Sequence, residues 1–236
     1  FAAVNLNNRI QIIDRTGKVI FPNNEGYDEL DNFDTGGKTF IVKKNDKEGL
    51  IDYHGNILIP CIYNYVDFSC NADAPIIVCF DDKYGFYSPD GAEIIPCTYE
   101  DAFYFNMDFK VTFVKSGGKY GLIDIEGNTI TPFVYDSCDG CVSFNDGLTF
   151  VKKNGKFGFI NADGKEIIPC IYAEVEDFMN GYACVRENEI WDMINTSGEI
   201  IFSDVKKGAY AISEEWICLK KGNKFGVVDL EGNEIV

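Results

Sequence analysis

The stretch Lys156-Phe157-Gly158-Phe159-Ile160-Asn161-Ala162-Asp163-Gly164, continuing as Lys165-Glu166-Ile167-Ile168-Pro169-Cys170-Ile171-Tyr172, decides the fold. Phe157 to Ile160 is a short run of strand-forming side chains, and Glu166 to Ile168 is another. Between them lies Asn-x-x-Gly. A side chain of the Asn or Asp type can bond the backbone two residues on, and Gly can take positive φ at the turn's end. Upstream, Leu148-Thr149-Phe150-Val151 forms a third apolar run, joined through the polar turn Lys152-Lys153-Asn154-Gly155. Turns this close between β-formers predict antiparallel hairpins. The proline is expected to end the third strand, since it cannot donate to a ladder.

The same pattern recurs at Lys83 to Gly91, Lys119 to Gly127 and Lys224 to Gly232, more weakly at Arg9 to Gly17 and Lys47 to Gly55, and as a variant from Glu189 to Gly198. The closing glycines fall at 17, 55, 91, 127, 164, 198 and 232, so about seven near-equal steps span the chain. Pro-x-x-Tyr recurs at Pro60 to Tyr63, Pro96 to Tyr99, Pro132 to Tyr135 and Pro169 to Tyr172. No helical period persists. The reading is one all-β repeat domain over 1–236, with units at approximately 1–38, 39–74, 75–109, 110–146, 147–181, 182–215 and 216–236. Each unit is a three-stranded meander followed by a connector. One unit cannot bury both faces, so neighbours must stack. A β-propeller-like ring is the preferred architecture, with an open β-solenoid as the alternative.

Lys119 to Tyr135 and Lys156 to Tyr172 resemble the bacterial WG-repeat (KWG-repeat) family, whose unit reads Lys-Trp-Gly-aromatic-Ile-Asp-x-x-Gly, then an apolar strand, Pro and Tyr. Here Tyr84, Tyr120, Phe157 and Phe225 stand in place of the Trp, and Gln11 and Asp192 in place of the Gly. Only Trp191 keeps a Trp in the signature slot. The resemblance implies repeat modules, with no catalytic residues to carry over.

The formal net charge is −17. A phosphate backbone or an anionic lipid surface repels such a chain, and its lysines are dispersed, so neither nucleic acid nor membrane is an expected partner. No apolar run approaches a membrane span.

Slot alignment tests each candidate for chemistry. His54, the single histidine, takes a variable turn slot, which leaves no His triad or multi-His metal site. Cys138 and Cys141 form a CxxC, but they align with Val175 and Phe178 and are read as buried thiols. Cys61, Cys97 and Cys170 share the slot after the proline, while Cys184 and Cys218 align with Ile41 and Ile77. Free thiols of this kind fit a reducing compartment. Asp14, Asp52, Asp124 and Asp229 recur as turn caps rather than as a converging calcium site. Asn195-Thr196-Ser197 matches a glycosylation sequon within a turn. Glu174, Glu176, Asp177, Glu187 and Glu189 form an acidic neighbourhood, where paired carboxylates could hydrolyse glycosides. It is read as a solvated loop.

The expectation is a non-catalytic scaffold or protein-binding module with no cofactor and no metal. The alternative is a carbohydrate-binding repeat that stacks sugars on Tyr63, Tyr99, Tyr135 and Tyr172. The sixth unit breaks the pattern, and Trp191, Asp192 and Trp216 are the residues expected to meet a protein partner.

Overall fold

The computed structural model describes residues 2–6, 9–13, 15–21, 27–32, 39–69, 71–138, 142–221 and 224–235. All regular structure among them is β. Seven antiparallel sheets of three or four strands follow one another along the chain. The first comprises Ala2–Leu6, Arg9–Ile13 and Val19–Phe21. The second comprises Glu29–Asn32, Thr39–Lys44, Lys47–Asp52 and Ile57–Tyr63, and the third Tyr65–Asp67, Ile76–Phe80, Lys83–Tyr87 and Glu93–Tyr99. The fourth holds Asp101–Ala102, Val111–Ser116 and Lys119–Asp124. The fifth holds Ser137–Cys138, Leu148–Lys153, Lys156–Asn161 and Glu166–Tyr172. The sixth runs through Glu174–Val175, Tyr182–Glu187, Ile190–Asn195 and Ile200–Val205, and the seventh through Tyr210–Ala211, Trp216–Lys221 and Lys224–Asp229.

The sheets group into two compact units. One holds residues 1–116 and 123–128, the other 117–122 and 129–236. Each is described by itself.

The second, third, fifth and sixth sheets have four strands, not three. The segment read as connector contributes a strand of two to four residues, for example Tyr65–Asp67 or Glu174–Val175, to the sheet of the following hairpin. This lead strand carries Val66, Ala102, Cys138 or Val175. The structural unit therefore begins one strand ahead of the sequence unit.

Two-residue loops with positive φ at both positions close the central hairpins, at Asn45–Asp46, Asp81–Asp82, Gly117–Gly118 and Asn154–Gly155. That geometry matches the right-handed twist of the flanking strands. A residue at the head of the lead strand caps three of these loops. Asp28 accepts from the Asn45 amide at 2.8 Å, Asn64 from the Asp81 amide at 3.1 Å and Asp136 from the Gly155 amide at 2.8 Å. The second turn carries the repeated Asp. In Asp52, Oδ1 accepts from the amides of His54 and Asn56 at 2.9 and 2.8 Å, and Asp124 does the same for Glu126 and Asn128 at 3.0 and 2.7 Å. Asp14 lies outside the described residues.

The proline does not end the third strand, as the sequence reading had it. The strands Ile57–Tyr63, Glu93–Tyr99 and Glu166–Tyr172 run through Pro60, Pro96 and Pro169. Phe159 pairs with Ile168 and Phe157 with Tyr172, so Pro169, Cys170 and Ile171 lie opposite Gly158 alone. A proline fits there because an edge strand at a bulge has no inward amide to supply. The bulge also explains the signature glycine. A Cβ on Gly158 would stand 2.5 Å from the Ile168 carbonyl oxygen and 2.7 Å from the Cys170 nitrogen. Gly85 meets the same clash with Ile95 and Cys97.

The first hairpin strands are buried on both faces, as Ile76 to Cys79 and Val111 to Val114 show. Alternate residues face opposite neighbours. In the first unit, Ile41, Leu50, Ile59 and Tyr63 of the second sheet pack against Val66, Ile76, Val78 and Tyr87 of the third. In the second unit, Leu148, Phe159, Ile168 and Tyr172 of the fifth sheet pack against Phe178, Ala183, Val185 and Ile194 of the sixth. The core thus lies between successive sheets and depends on the array.

Candidate partner-binding site

The signature aromatic sits in a row across each sheet. Phe157 pairs with Lys152 on one side and Tyr172 on the other, and the Lys152 ammonium lies 4.7 Å from its ring centroid. Phe225 is met by Lys220 at 5.6 Å. The recurring tyrosine is therefore a structural partner of the signature slot. Tyr63, Tyr135 and Tyr172 are buried, and Tyr99 is half-buried. Tyr63 and Tyr87 share a hydroxyl–hydroxyl bond of 2.7 Å, and Tyr87 donates to Glu93 at 3.0 Å. Rings enclosed this way at Tyr63, Tyr135 and Tyr172 offer no face to a sugar, which weighs against the tyrosine platform of the carbohydrate-binding alternative.

The sixth sheet rebuilds this row. Trp191 pairs with Arg186 and with Val205, so a larger ring faces a smaller partner than in the Phe157–Tyr172 pair. Trp191 is half-buried, with the Arg186 guanidinium 5.9 Å and the Lys207 ammonium 5.4 Å from its ring. Both cations also reach Glu174, Arg186 through a hydrogen-bonded ion pair and Lys207 at 3.6 Å. The bond from Arg186 holds the Glu174 carboxyl below its ordinary range, whereas burial pushes Glu176 up, tempered by Lys207. The acidic neighbourhood is thus partly ion-paired rather than wholly solvated.

Asp192 occupies the slot of Gly158, where a side chain would strike a three-residue bulge. The sixth sheet has a shorter one: Trp191 pairs with Val205 and Met193 with Phe202, leaving only Ser203 and Asp204 opposite Asp192. The Asp192 carboxylate accepts from the Ser203 hydroxyl at 2.6 Å and the Asp204 amide at 3.2 Å, and Asp204 has a φ of 55°. Asp192 is engaged inside its own sheet.

Trp216 lies elsewhere, at the start of a strand in the seventh sheet, and is 47% exposed. It belongs to a feature that the sequence reading missed. Three residues beyond the lead-strand apolar position, the fourth and sixth sheets bury a phenylalanine. Phe105 stacks edge-on against Phe86 at 5.0 Å, and Phe178 against Phe159 at 4.8 Å. In the seventh sheet Leu219 lies opposite the signature Gly226, and Ser213 bonds Trp216 as Met179 bonds Tyr182, so that slot is Ile212, which is exposed. The segment turns outward and shows Tyr210 at 49%, Ile212 at 44% and Trp216 at 47% exposure. Its backbone is nevertheless held. Asn180 donates to the carbonyls of Ala211 and Ile212 at 3.0 and 3.1 Å, and the Tyr182 hydroxyl to that of Glu214 at 3.2 Å. The Ile212 amide donates to the Trp216 carbonyl at 2.8 Å, and Ser213 Oγ accepts from the Trp216 amide at 3.2 Å. Aligning Ala209 with Val175 would have shown the Phe-to-Ile exchange in the sequence alone.

The remaining candidates have local roles. His54 is exposed in its turn. Asn195 accepts from the Ser197 and Glu199 amides, both at 3.0 Å, as a turn cap. Cys184 and Cys218 are buried, while Cys61, Cys97, Cys138 and Cys170 are half-buried; all are free thiols. Cys138 was expected to be fully buried, but it sits in a two-residue strand whose side chains are only partly covered. Cys141 lies outside the described residues. No helix among the described residues is long and apolar enough to cross a membrane.

No curated protein matches the chain. Among solved structures, a eukaryotic initiation factor aligns over 99% of this chain and 72% of its own, with 8% identity and a TM-score of 0.47. Kluyveromyces lactis Hsv2 aligns over 82% and 71%, with 11% identity and a TM-score of 0.41. The model of the WG-containing repeat matches four consecutive segments, 49–84, 84–120, 120–157 and 157–191, which together span well over half of the sequence. This chain belongs to the WG-repeat family.

Proposed function

We propose that this chain is a non-catalytic protein-interaction module that engages its partner through the outward segment Tyr210 to Trp216. One observation carries the reading: three large apolar side chains stand exposed on a backbone fixed by Asn180 and Tyr182, and one of them, Ile212, takes the slot where the fourth and sixth sheets bury a phenylalanine. Apolar groups displayed on a rigid loop lose little conformational entropy on binding. Aromatic anchors of this kind carry a large share of interface energy.

The test is site-specific crosslinking from position 210 in the full chain, followed by capture from the source cells and comparison of Ile212→Ser/Trp216→Ser with Asp192→Ala. Loss of the crosslinked species in the first variant only, at an unchanged thermal midpoint, is the expected result. Undiminished capture by the Ile212→Ser/Trp216→Ser variant would overturn the proposal.

A further inference from the structure

We infer that the occupant of the Tyr210–Trp216 surface is a cationic peptide segment, one that presents a large apolar side chain flanked by Lys or Arg. The inference rests on the interaction reading above and adds the chemistry of the partner. Between the exposed Ile212 and Trp216 lie Ser213, Glu214 and Glu215, all exposed. Neither Glu214 nor Glu215 has an ion-pair partner among the described residues. The cation nearest in sequence with a defined role, Lys207, is held 3.6 Å from Glu174 and lies over Trp191. Two uncompensated carboxylates are therefore set between two apolar anchors.

The apolar anchor Ile212 itself stands in the slot that Phe178 fills in the sixth sheet, but it is 44% exposed where Phe178 is buried. The chain's net charge of −17 adds long-range attraction for a cationic segment.

The probes are three synthetic peptides of equal length and identical Leu-x-x-Phe spacing, flanked by Lys, Ser or Glu. In a Trp191→Phe background Trp216 is the only tryptophan, so its emission reports binding at the site itself. The Lys peptide should shift Trp216 emission to the blue and bind most tightly, the Ser peptide weakly and the Glu peptide not at all. Glu214→Gln/Glu215→Gln should weaken the Lys peptide about 5-fold at low salt, as the loss of two solvent-exposed ion pairs requires. Glu187→Gln/Glu189→Gln, which removes equal charge from another exposed turn, should leave it unchanged. Equal weakening by both double variants would mean attraction to bulk charge and would overturn the inference. Equal affinity of the Ser and Lys peptides would overturn the cationic assignment while leaving the docking surface intact. Absence of any peptide effect on Trp216, together with undiminished capture by the Ile212→Ser/Trp216→Ser variant, would overturn both.

Discussion

Replacing Gly158 by Ala tests the account of the signature glycine. The added Cβ would lie 2.5 Å from the Ile168 oxygen and 2.7 Å from both the Pro169 carbonyl carbon and the Cys170 nitrogen. All three are backbone atoms of the bulge, so relief requires moving the closing strand. Gly121 is the control within the same compact unit. Its Cβ would meet Phe133 Cδ1 at 2.9 Å and the Thr131 oxygen at 3.1 Å, and the Phe133 ring can swing aside. Overpacking against fixed backbone costs about 3 kcal/mol, and against a movable side chain about 1 kcal/mol. The smaller unfolded-state entropy of Ala offsets about 0.5 kcal/mol in both variants and cancels in the comparison. Gly158→Ala should therefore be less stable than Gly121→Ala by about 2 kcal/mol. With a urea slope of about 2 kcal/mol/M, the midpoints should differ by about 1 M. Amide exchange at Phe159 and Ile160 should show the loss in the fifth sheet. Midpoints that coincide within about 0.2 M at equal slope would refute the reasoning.

Further predictions concern single residues. Phe178→Ala, which empties a buried edge-to-face contact with Phe159, should cost about 3–5 kcal/mol in urea unfolding. Asp192→Ala should cost about 1–2 kcal/mol by orphaning the Ser203 hydroxyl and the Asp204 amide, yet leave partner capture intact. Asp52→Ala should cost about 1–2 kcal/mol at neutral pH. Burial pushes the Asp52 carboxyl up, but bonds from Asn56 and His54 outweigh it and hold the group below its ordinary 3.8. Its contribution is thus complete above that value and lost as pH falls through the lowered one, so the gap to wild type should close in urea titrations run at successively lower pH. Burial pushes the Cys184 thiol from 9.0 up to about 12, so alkylation at mildly alkaline pH should be on the order of a thousandfold slower in the folded chain than in urea.

The hairpins were legible because each carries its own chemistry: Asn154–Gly155 and Asp52 with Gly55 specify their turns through side-chain acceptors and positive φ. The lead strands were not, since two residues such as Glu174–Val175 are too few to show a period of two. They become strands only when the following hairpin presents an edge. Pro169 misled because the rule against proline in a ladder holds for straight pairing and not for a bulge opposite a glycine. In the candidate site, Trp216 was singled out for its type, and its exposure agrees. Asp192 was singled out as a broken glycine, but the compensating change sits eleven residues on, at Ser203, beyond any local pattern. Ile212 went unnoticed because an apolar residue in an apolar slot draws no attention until its exposure is seen.

The offset between sequence period and sheet bears on how such an array can change length. The peptide from Glu166 to Val175 closes one sheet and, two residues later, opens the next. A duplication or deletion of one whole period, wherever its endpoints fall, restores a closing strand and a lead strand on the same uninterrupted segment. Recombination between copies therefore keeps every sheet complete, and the number of sheets is free to drift while the design of each is preserved. Individual copies are then free to diverge in turn, as the sixth and seventh sheets have done around Asp192 and Ile212.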